Sequence, residues 1–209
     1  MEAKFWHEMW ASGVVGFHQS KVNEYLTSYW SMLNLTNDET VLVPLCGKSL
    51  DMIWLAQQGH NVLGVELSSK ALDAFISENS LTARPYRDEN FTGYELSSMK
   101  LLCGDFFNLN QAYTSDVNAI YDRAALVALP KALRQAYVSH LSRLLEKGTQ
   151  VLLVTMEYDT SKLQGPPFSV AEEEVCALYH FAQSVEKLHE VSFQRKSVDA
   201  VEKVYLIQF

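Results

Sequence analysis

Three acids and an arginine stand where apolar runs end, the places at which a sheet presents polar side chains. Glu66 follows the run 61–65 (NVLGV). Asp105 follows MKLLC (99–103) and Gly104, and Asp122-Arg123 follow the run 116–121. Carboxylates so placed accept hydrogen bonds from sugar hydroxyls or exocyclic amines, and an arginine can hold an anion. A tight turn, Cys46-Gly47-Lys48-Ser49, follows the first apolar run, VLVP at 41–44. Nucleotide-binding sheets place a ribose-binding acid about 20 residues after their glycine turn, and Glu66 has that spacing from Gly47.

The elements that must position these groups are legible. Apolar residues recur at helical spacing from Leu50 to Gln58 (Leu50, Ile53, Trp54, Ala56), and Gly59 stops that helix. With the runs on either side this makes one parallel β-α-β unit, which takes about 30 residues. Ser68-Ser69 can cap a helix over 69–80 with Ala71, Leu72, Phe75 and Ile76 on one face. Residues 81–98 read as a long connection with a short strand at 91–95. A third core strand at 99–103 and a fourth at 116–121 follow. A helix is expected from Pro130 to Leu145, a fifth strand from Thr149 to Met156 and a rigid turn at 165–168 (GPPF). A helix from Ser169 to His180 precedes an antiparallel pair, 181–191 and 198–209. Repeated β-α units with a hairpin-like end predict one α/β domain with a mostly parallel sheet. Its ligand should lie beyond the strand C-termini, where the strand order reverses. The first 33 residues carry Phe5, Trp6, Trp10, Phe17, Tyr25, Tyr29 and Trp30. Trp6 and Trp10 share a helix face. Such a segment either packs on the sheet edge or covers a small-molecule pocket.

Composition excludes several classes. The 209 residues suffice for one core, and 48% hydrophobic content is ordinary for a globular chain. A net charge of −8 argues against a nucleic-acid partner, which calls for a basic face. No apolar run approaches membrane-spanning length, and the acidic, aromatic start does not read as a signal peptide. Cys46, Cys103 and Cys176 are widely spaced and form no metal-ligand set. They read as reduced thiols of a cytoplasmic protein, with Cys46 at a helix start as the one position where a reactive thiolate would be favoured.

The ligand class follows from what the glycine turn lacks. A phosphate-binding loop needs a second glycine five residues before Gly47, and position 42 is Leu. A dinucleotide fingerprint needs three glycines. S-adenosylmethionine has an adenosine but no phosphate, so one glycine suffices. Glu66 would hold its ribose hydroxyls, Asp105 the adenine amine and Phe106 the adenine face.

The blocks FWHEMW (5–10), GFHQSKVN (16–23), VLVPLCGKSLDMIWLA (41–56), GVELS (64–68), CGDFF (103–107), YDRAALVALP (121–130) and GPPFSV (165–170) resemble the bacterial thiopurine S-methyltransferase family. The resemblance implies a class I, Rossmann-like methyltransferase fold over residues 1–209. An aromatic helical lid (1–33) would cover a Rossmann-like core (40–209). It implies S-adenosylmethionine contacts at Trp10, Leu45, Glu66 and Arg123, beside Gly47, Asp105 and Phe106. Phe17, His18 and Arg123 would face the substrate. The resemblance also leads one to expect a glycine near Arg195 to Val198, and none is there.

The implied reaction is in-line transfer of the sulfonium methyl to the sulfur of an aromatic or heterocyclic thiol. Such an acceptor is acidic enough to need no strong base, and no catalytic residue or metal is assigned. Arg123 would stabilise the thiolate; its alternative is a structural ion pair with Asp122 or Glu66, and Asp122 reads as structural. Rival readings are transfer to oxygen or nitrogen, transfer to small selenium, tellurium or thiol compounds, and a non-catalytic adenosine sensor. The single glycine disfavours a nicotinamide oxidoreductase. A cytoplasmic monomer acting on a small thiol is expected.

Overall fold

The computed structural model describes residues 3–13, 15, 16 and 18–209. The chain runs α1 (Ala3–Ser12), α2 (Glu24–Tyr29), β1 (Thr40–Pro44), α3 (Asp51–Gln57), β2 (Asn61–Glu66) and α4 (Ser69–Glu78). It continues with β3 (Arg84–Arg87), β4 (Thr92–Glu95), β5 (Met99–Cys103), α5 (Gln111–Thr114), β6 (Val117–Arg123) and α6 (Lys131–Leu144). Last come β7 (Gln150–Tyr158), α7 (Glu172–Leu178), β8 (Ser184–Arg195) and β9 (Val198–Gln208). The strands form one sheet in the order β3-β4-β5-β2-β1-β6-β7-β9-β8. Pairs β5-β2, β2-β1, β1-β6 and β6-β7 are parallel, and β9 runs antiparallel between β7 and β8. The order reverses between β1 and β6, so Pro44 and Arg123 end neighbouring strands at the switch point.

Strand alternation divides the core into two layers. Val41 and Val43 of β1 join Ala119 and Tyr121 of β6 on the face covered by Tyr25, Leu26, Met52, Leu55, Leu72 and Phe75. Leu42 and Ile120 join the opposite layer with Tyr137, Val138 and Leu141 of α6. Val41, Leu42 and Val43 are 0–3% exposed, and burial of each side chain contributes about 1.5–3 kcal/mol. The first strand therefore cannot slip by one residue without inverting both layers.

Several expected boundaries shift. The connection at 81–98 is a hairpin, β3 with β4, and β4 pairs antiparallel with β5. Polar, exposed residues hid β3. The helix expected at 169–180 spans only Glu172–Leu178. Ser68 occupies the cap position of α4 without a side-chain cap bond. α2 is capped instead by Asn23, whose side chain accepts from the Tyr25 N–H, and it continues as a 3-10 turn through Leu33. In the turn between β8 and β9, Lys196 and Ser197 take left-handed φ values of 46° and 64° where a glycine was expected.

One glycine is indispensable to the edge hairpin. At Gly93, φ is +148°, and a Cβ there would stand 1.9 Å from the Leu101 carbonyl oxygen. Gly93→Ala is expected to destabilise the protein by about 3 kcal/mol or more, read as a lower urea midpoint. An unchanged midpoint would show that β4 can separate from β5 without cost.

Candidate active site

The turn after β1 is bent by its backbone. Leu45 has φ 49° and Gly47 φ 54°. A left-handed leucine is a strained choice, of order 1 kcal/mol or more, of the kind found at ligand-binding turns. Cys46 N donates to Val65 O at 3.0 Å, locking the turn to β2. The last residue of β2 completes it. Gly47 N donates to Glu66 Oε2 at 2.9 Å and Ser68 N to Glu66 Oε1 at 2.8 Å. Glu66 is 6% exposed. Burial raises its pKa, while the backbone N–H groups of Ser68, Gly47 and Leu67 pull it back. The Gly47 and Ser68 bonds take one lone pair on each oxygen and the Leu67 N–H draws on a third, so the carboxylate keeps part of its acceptor capacity for a ligand.

Trp10 of α1 meets this turn. A Cβ built on Gly47 would lie 3.0 Å from Trp10 Cζ2, so a side chain here would displace the indole. α1 buries none of its residues, whereas Tyr25 and Trp30 sit in the core. The aromatic N-terminal segment thus divides. α2 and the turn after it are sheet packing, and α1 brings an indole to the glycine turn. Phe17 lies outside the described residues. His18 is half-buried, and its charged neighbours are Lys48, Glu78, Arg123 and Asp51. Desolvation first, then Lys48, lowers its pKa, so the imidazole is neutral at pH 7.

At the switch point β6 sends alternate side chains to opposite faces. Tyr121 and Arg123 point toward α3, where both meet Asp51. The Tyr121 hydroxyl donates to Asp51 Oδ2 at 3.1 Å, and Arg123 Nε lies 3.5 Å from the same oxygen. The structural ion pair that stood as the alternative for Arg123, with Asp122 or Glu66, is formed with Asp51 instead. Asp122 faces the other way and is fully buried. It accepts from Ala125 N (3.2 Å), Leu126 N (3.1 Å) and the Tyr137 hydroxyl (2.7 Å). Burial pushes its pKa up to about 6 against these bonds. With its oxygens so occupied, Asp122 builds the strand end and faces the layer opposite Arg123.

Asp105 is exposed at the end of β5 and caps the short turn after it, accepting from Phe107 N at 3.0 Å. Phe106 departs from expectation. Its ring is 6% exposed and packs on Tyr137 and His140, with centroids 5.2 and 5.5 Å apart. It offers no open face to an adenine. Its apolar ring is drawn into the core and anchors the turn that presents Asp105. Lys48 is engaged by both oxygens of Glu78 at 2.6 and 2.7 Å, which agrees with a helix start and not a phosphate cradle. Burial raises the Cys46 thiol well above its usual pKa, so it is no activated nucleophile. Among the described residues no group of three or more His, Cys, Asp or Glu could hold a metal ion. Two hollows do open in the surface, around Trp30, Trp54 and His60 and around Asp38, Asn61 and Asn118. Both lie at the strands' N-terminal edge and touch none of these groups.

The residue missed in the sequence is Asp51. An acid in the first turn of a helix reads as a complement to the helix dipole. Its partners, Asn23, Tyr121 and Arg123, are brought to it only by folding.

The thiopurine S-methyltransferase (TPMT) family model matches residues 1–207. The chain belongs to that family. It is an S-adenosylmethionine-dependent methyltransferase, as the sequence blocks implied. A thiopurine S-methyltransferase of Pseudomonas fluorescens strain SBW25 is 50% identical over 188 residues, covering 90% of this chain and 86% of the relative. One of Nitrosospira multiformis is 46% identical over 179 residues, covering 86% and 81%. Among solved structures, a 1,6-didemethyltoxoflavin-N1-methyltransferase of Burkholderia thailandensis matches with a TM-score of 0.65 at 12% identity, over 99% of this chain and 87% of that one. An S-adenosylmethionine-dependent methyltransferase of Anabaena variabilis matches with a TM-score of 0.65 at 16% identity, over 99% and 94%. These two support the fold. The methyltransferase fold expected from the sequence is borne out.

The residues at the switch point fit that cofactor. Glu66 is a buried carboxylate at a strand end with acceptor capacity left over from its backbone donors, as a ribose diol requires. Gly47 leaves room under Trp10 that a side chain would fill. Arg123 Nε is buried without a hydrogen bond among the described residues, which marks the guanidinium as incompletely satisfied there.

Proposed function

We propose that the methyltransferase acts on the sulfur of aromatic or heterocyclic thiols, thiopurines among them. The observation that carries this reading is the division of labour at β6. A cation, Arg123, stands at the switch point, while the neighbouring acid Asp122 is locked into the opposite layer. The site offers charge stabilisation with both nearby carboxylates, Asp51 and Asp122, engaged by other partners, so that among the described residues the neutral His18 imidazole is the one proton acceptor placed beside it. An acceptor that is already an anion near neutral pH suits such a site, and an aromatic thiol is one. Transfer to a phenol or amine would call for a base.

In this reading Glu66 holds the ribose hydroxyls, Asp105 the adenine amine, and Leu45 and Gly47 line the turn with their backbone. Trp10 covers the pocket from α1 and excludes water, and Phe17 and His18 lie on the acceptor side. The bound cofactor supplies a methyl group already activated by its sulfonium. The protein aligns and desolvates the reactants, and positioning alone can supply roughly 7–11 kcal/mol. One domain carries the whole site, with residues 1–33 as its cover, and it works as a cytoplasmic monomer. No helix among the described residues is long and apolar enough to cross a membrane.

A panel of aromatic thiols, thiopurines, selenols, phenols and amines, incubated with labelled S-adenosylmethionine, tests this. Sulfur and selenium compounds should be labelled first. A selenolate meets the same cation and needs no base either, so the order within that pair identifies the better acceptor. Preferential labelling of phenols or amines would overturn the reading.

A further inference from the structure

We propose that Asp51 is a positioning residue for methyl transfer, one buried carboxylate that aims the Arg123 guanidinium and ties it to the segment leading from α1. The proposal rests on the reading that Arg123 faces the acceptor. Asp51 opens α3, and its side chain is 1% exposed. Its Oδ1 accepts the backbone N–H of Asn23 at 2.8 Å. Its Oδ2 accepts the Tyr121 hydroxyl and faces Arg123 Nε at 3.5 Å. Three separate parts of the chain therefore converge on one carboxylate: the stretch before α2, strand β6 and the helix after the glycine turn.

This convergence does more than hold the fold together. Tyr121 and Arg123 are two apart on β6 and share a face, so Tyr121 fixes the carboxylate that Arg123 meets. No hydrogen bond reaches Arg123 Nε among the described residues, which leaves the charge of Asp51 to hold that edge of the guanidinium. With Nε turned to Asp51, it is the Nη groups that can meet an anionic acceptor. Asn23 extends the linkage toward the pocket cover. Its Oδ1 accepts from Tyr25 N and its Nδ2 donates to Gln19 Oε1, next in sequence to His18. The chain that carries His18 is thus fastened to the carboxylate that aims Arg123.

The test is a double-mutant cycle on turnover with Asp51→Asn, Arg123→Gln and the pair. It uses the acceptor that the unmodified enzyme methylates best in the panel, so failure of the thiol assignment and failure of the Asp51 role are read separately. Asparagine keeps the acceptor for Asn23 and removes the charge. Asp51→Asn is expected to lower kcat by about 10-fold or more, with S-adenosylhomocysteine affinity and the KM for S-adenosylmethionine within about 3-fold. In the Arg123→Gln background the same change should cost less than about 2-fold, because its effect runs through Arg123. Asp51→Glu, which restores the charge, should recover part of the loss; if Asp51→Asn does not fold, Tyr121→Phe, which removes the hydroxyl that fixes the carboxylate, takes its place in the cycle. Unaltered kcat in Asp51→Asn, or losses that multiply fully in the double variant, would overturn the proposal.

Discussion

Glu66→Ala is expected to weaken S-adenosylhomocysteine binding by about 100-fold, close to 3 kcal/mol. The size follows from what the carboxylate does at once. It is 6% exposed, it orders the Gly47 and Ser68 amides, and it keeps acceptor capacity for the ribose. Truncation removes the charged acceptors and leaves two backbone donors of the turn unpaired, so the cradle loosens as its ligand contacts vanish. Glu66→Gln should lose nearly as much. Either orientation of the amide turns an N–H group against a backbone N–H. Calorimetric titration of the three proteins checks this, with thermal unfolding as the control for folding. An affinity within about 3-fold of the unmodified protein would remove Glu66 from the cofactor site.

Much of this arrangement could be read from residue order. Glu66, Asp105 and Arg123 each close a strand whose apolar run is plain in the sequence, and strand ends of a parallel sheet converge on one edge. Gly47 was legible because few residues tolerate a left-handed φ. Leu45 beside it shares that conformation, and nothing about a leucine announces it. Phe106 shows the limit of reasoning from position alone. It follows Asp105 at the right strand end, but a ring there can turn toward the ligand or the core. The aromatic cluster with Tyr137 and His140, residues from a helix some thirty positions later, decides for the core. The partner of Arg123 in the structural alternative differs for a related reason. Asp122 is its neighbour in sequence, but successive residues of a strand point to opposite faces. The hairpin of β3 and β4 escaped notice because an edge strand need not bury an apolar face. Its residues Arg84, Pro85 and Arg87 are exposed.

The same alternation on β6 leads to the second large effect, on stability and not on binding. Asp122 is held at a pKa of about 6, above its ordinary value of 3.8, chiefly by desolvation. A carboxyl whose pKa is raised by folding favours the folded state when protonated. Its contribution is fully present below about pH 4 and is lost as pH rises through about 6. A shift of this size corresponds to about 3 kcal/mol, an order-of-magnitude figure for a fully buried group. Carboxylates of the opposite sense, such as the half-buried Glu172 beside Lys187, mask this in the unmodified protein. The difference between the unmodified protein and Asp122→Asn isolates it. Asparagine resembles the protonated acid: its oxygen can keep the Ala125 and Leu126 amides, and its NH2 can donate to the Tyr137 hydroxyl. Urea unfolding across this range should show the two proteins most alike near pH 4. The variant should then gain on the unmodified protein by up to about 3 kcal/mol as pH reaches 7. A difference that stays flat with pH would mean that Asp122 is already ionised at no cost. The three bonds from Ala125, Leu126 and Tyr137 would then fully offset its burial.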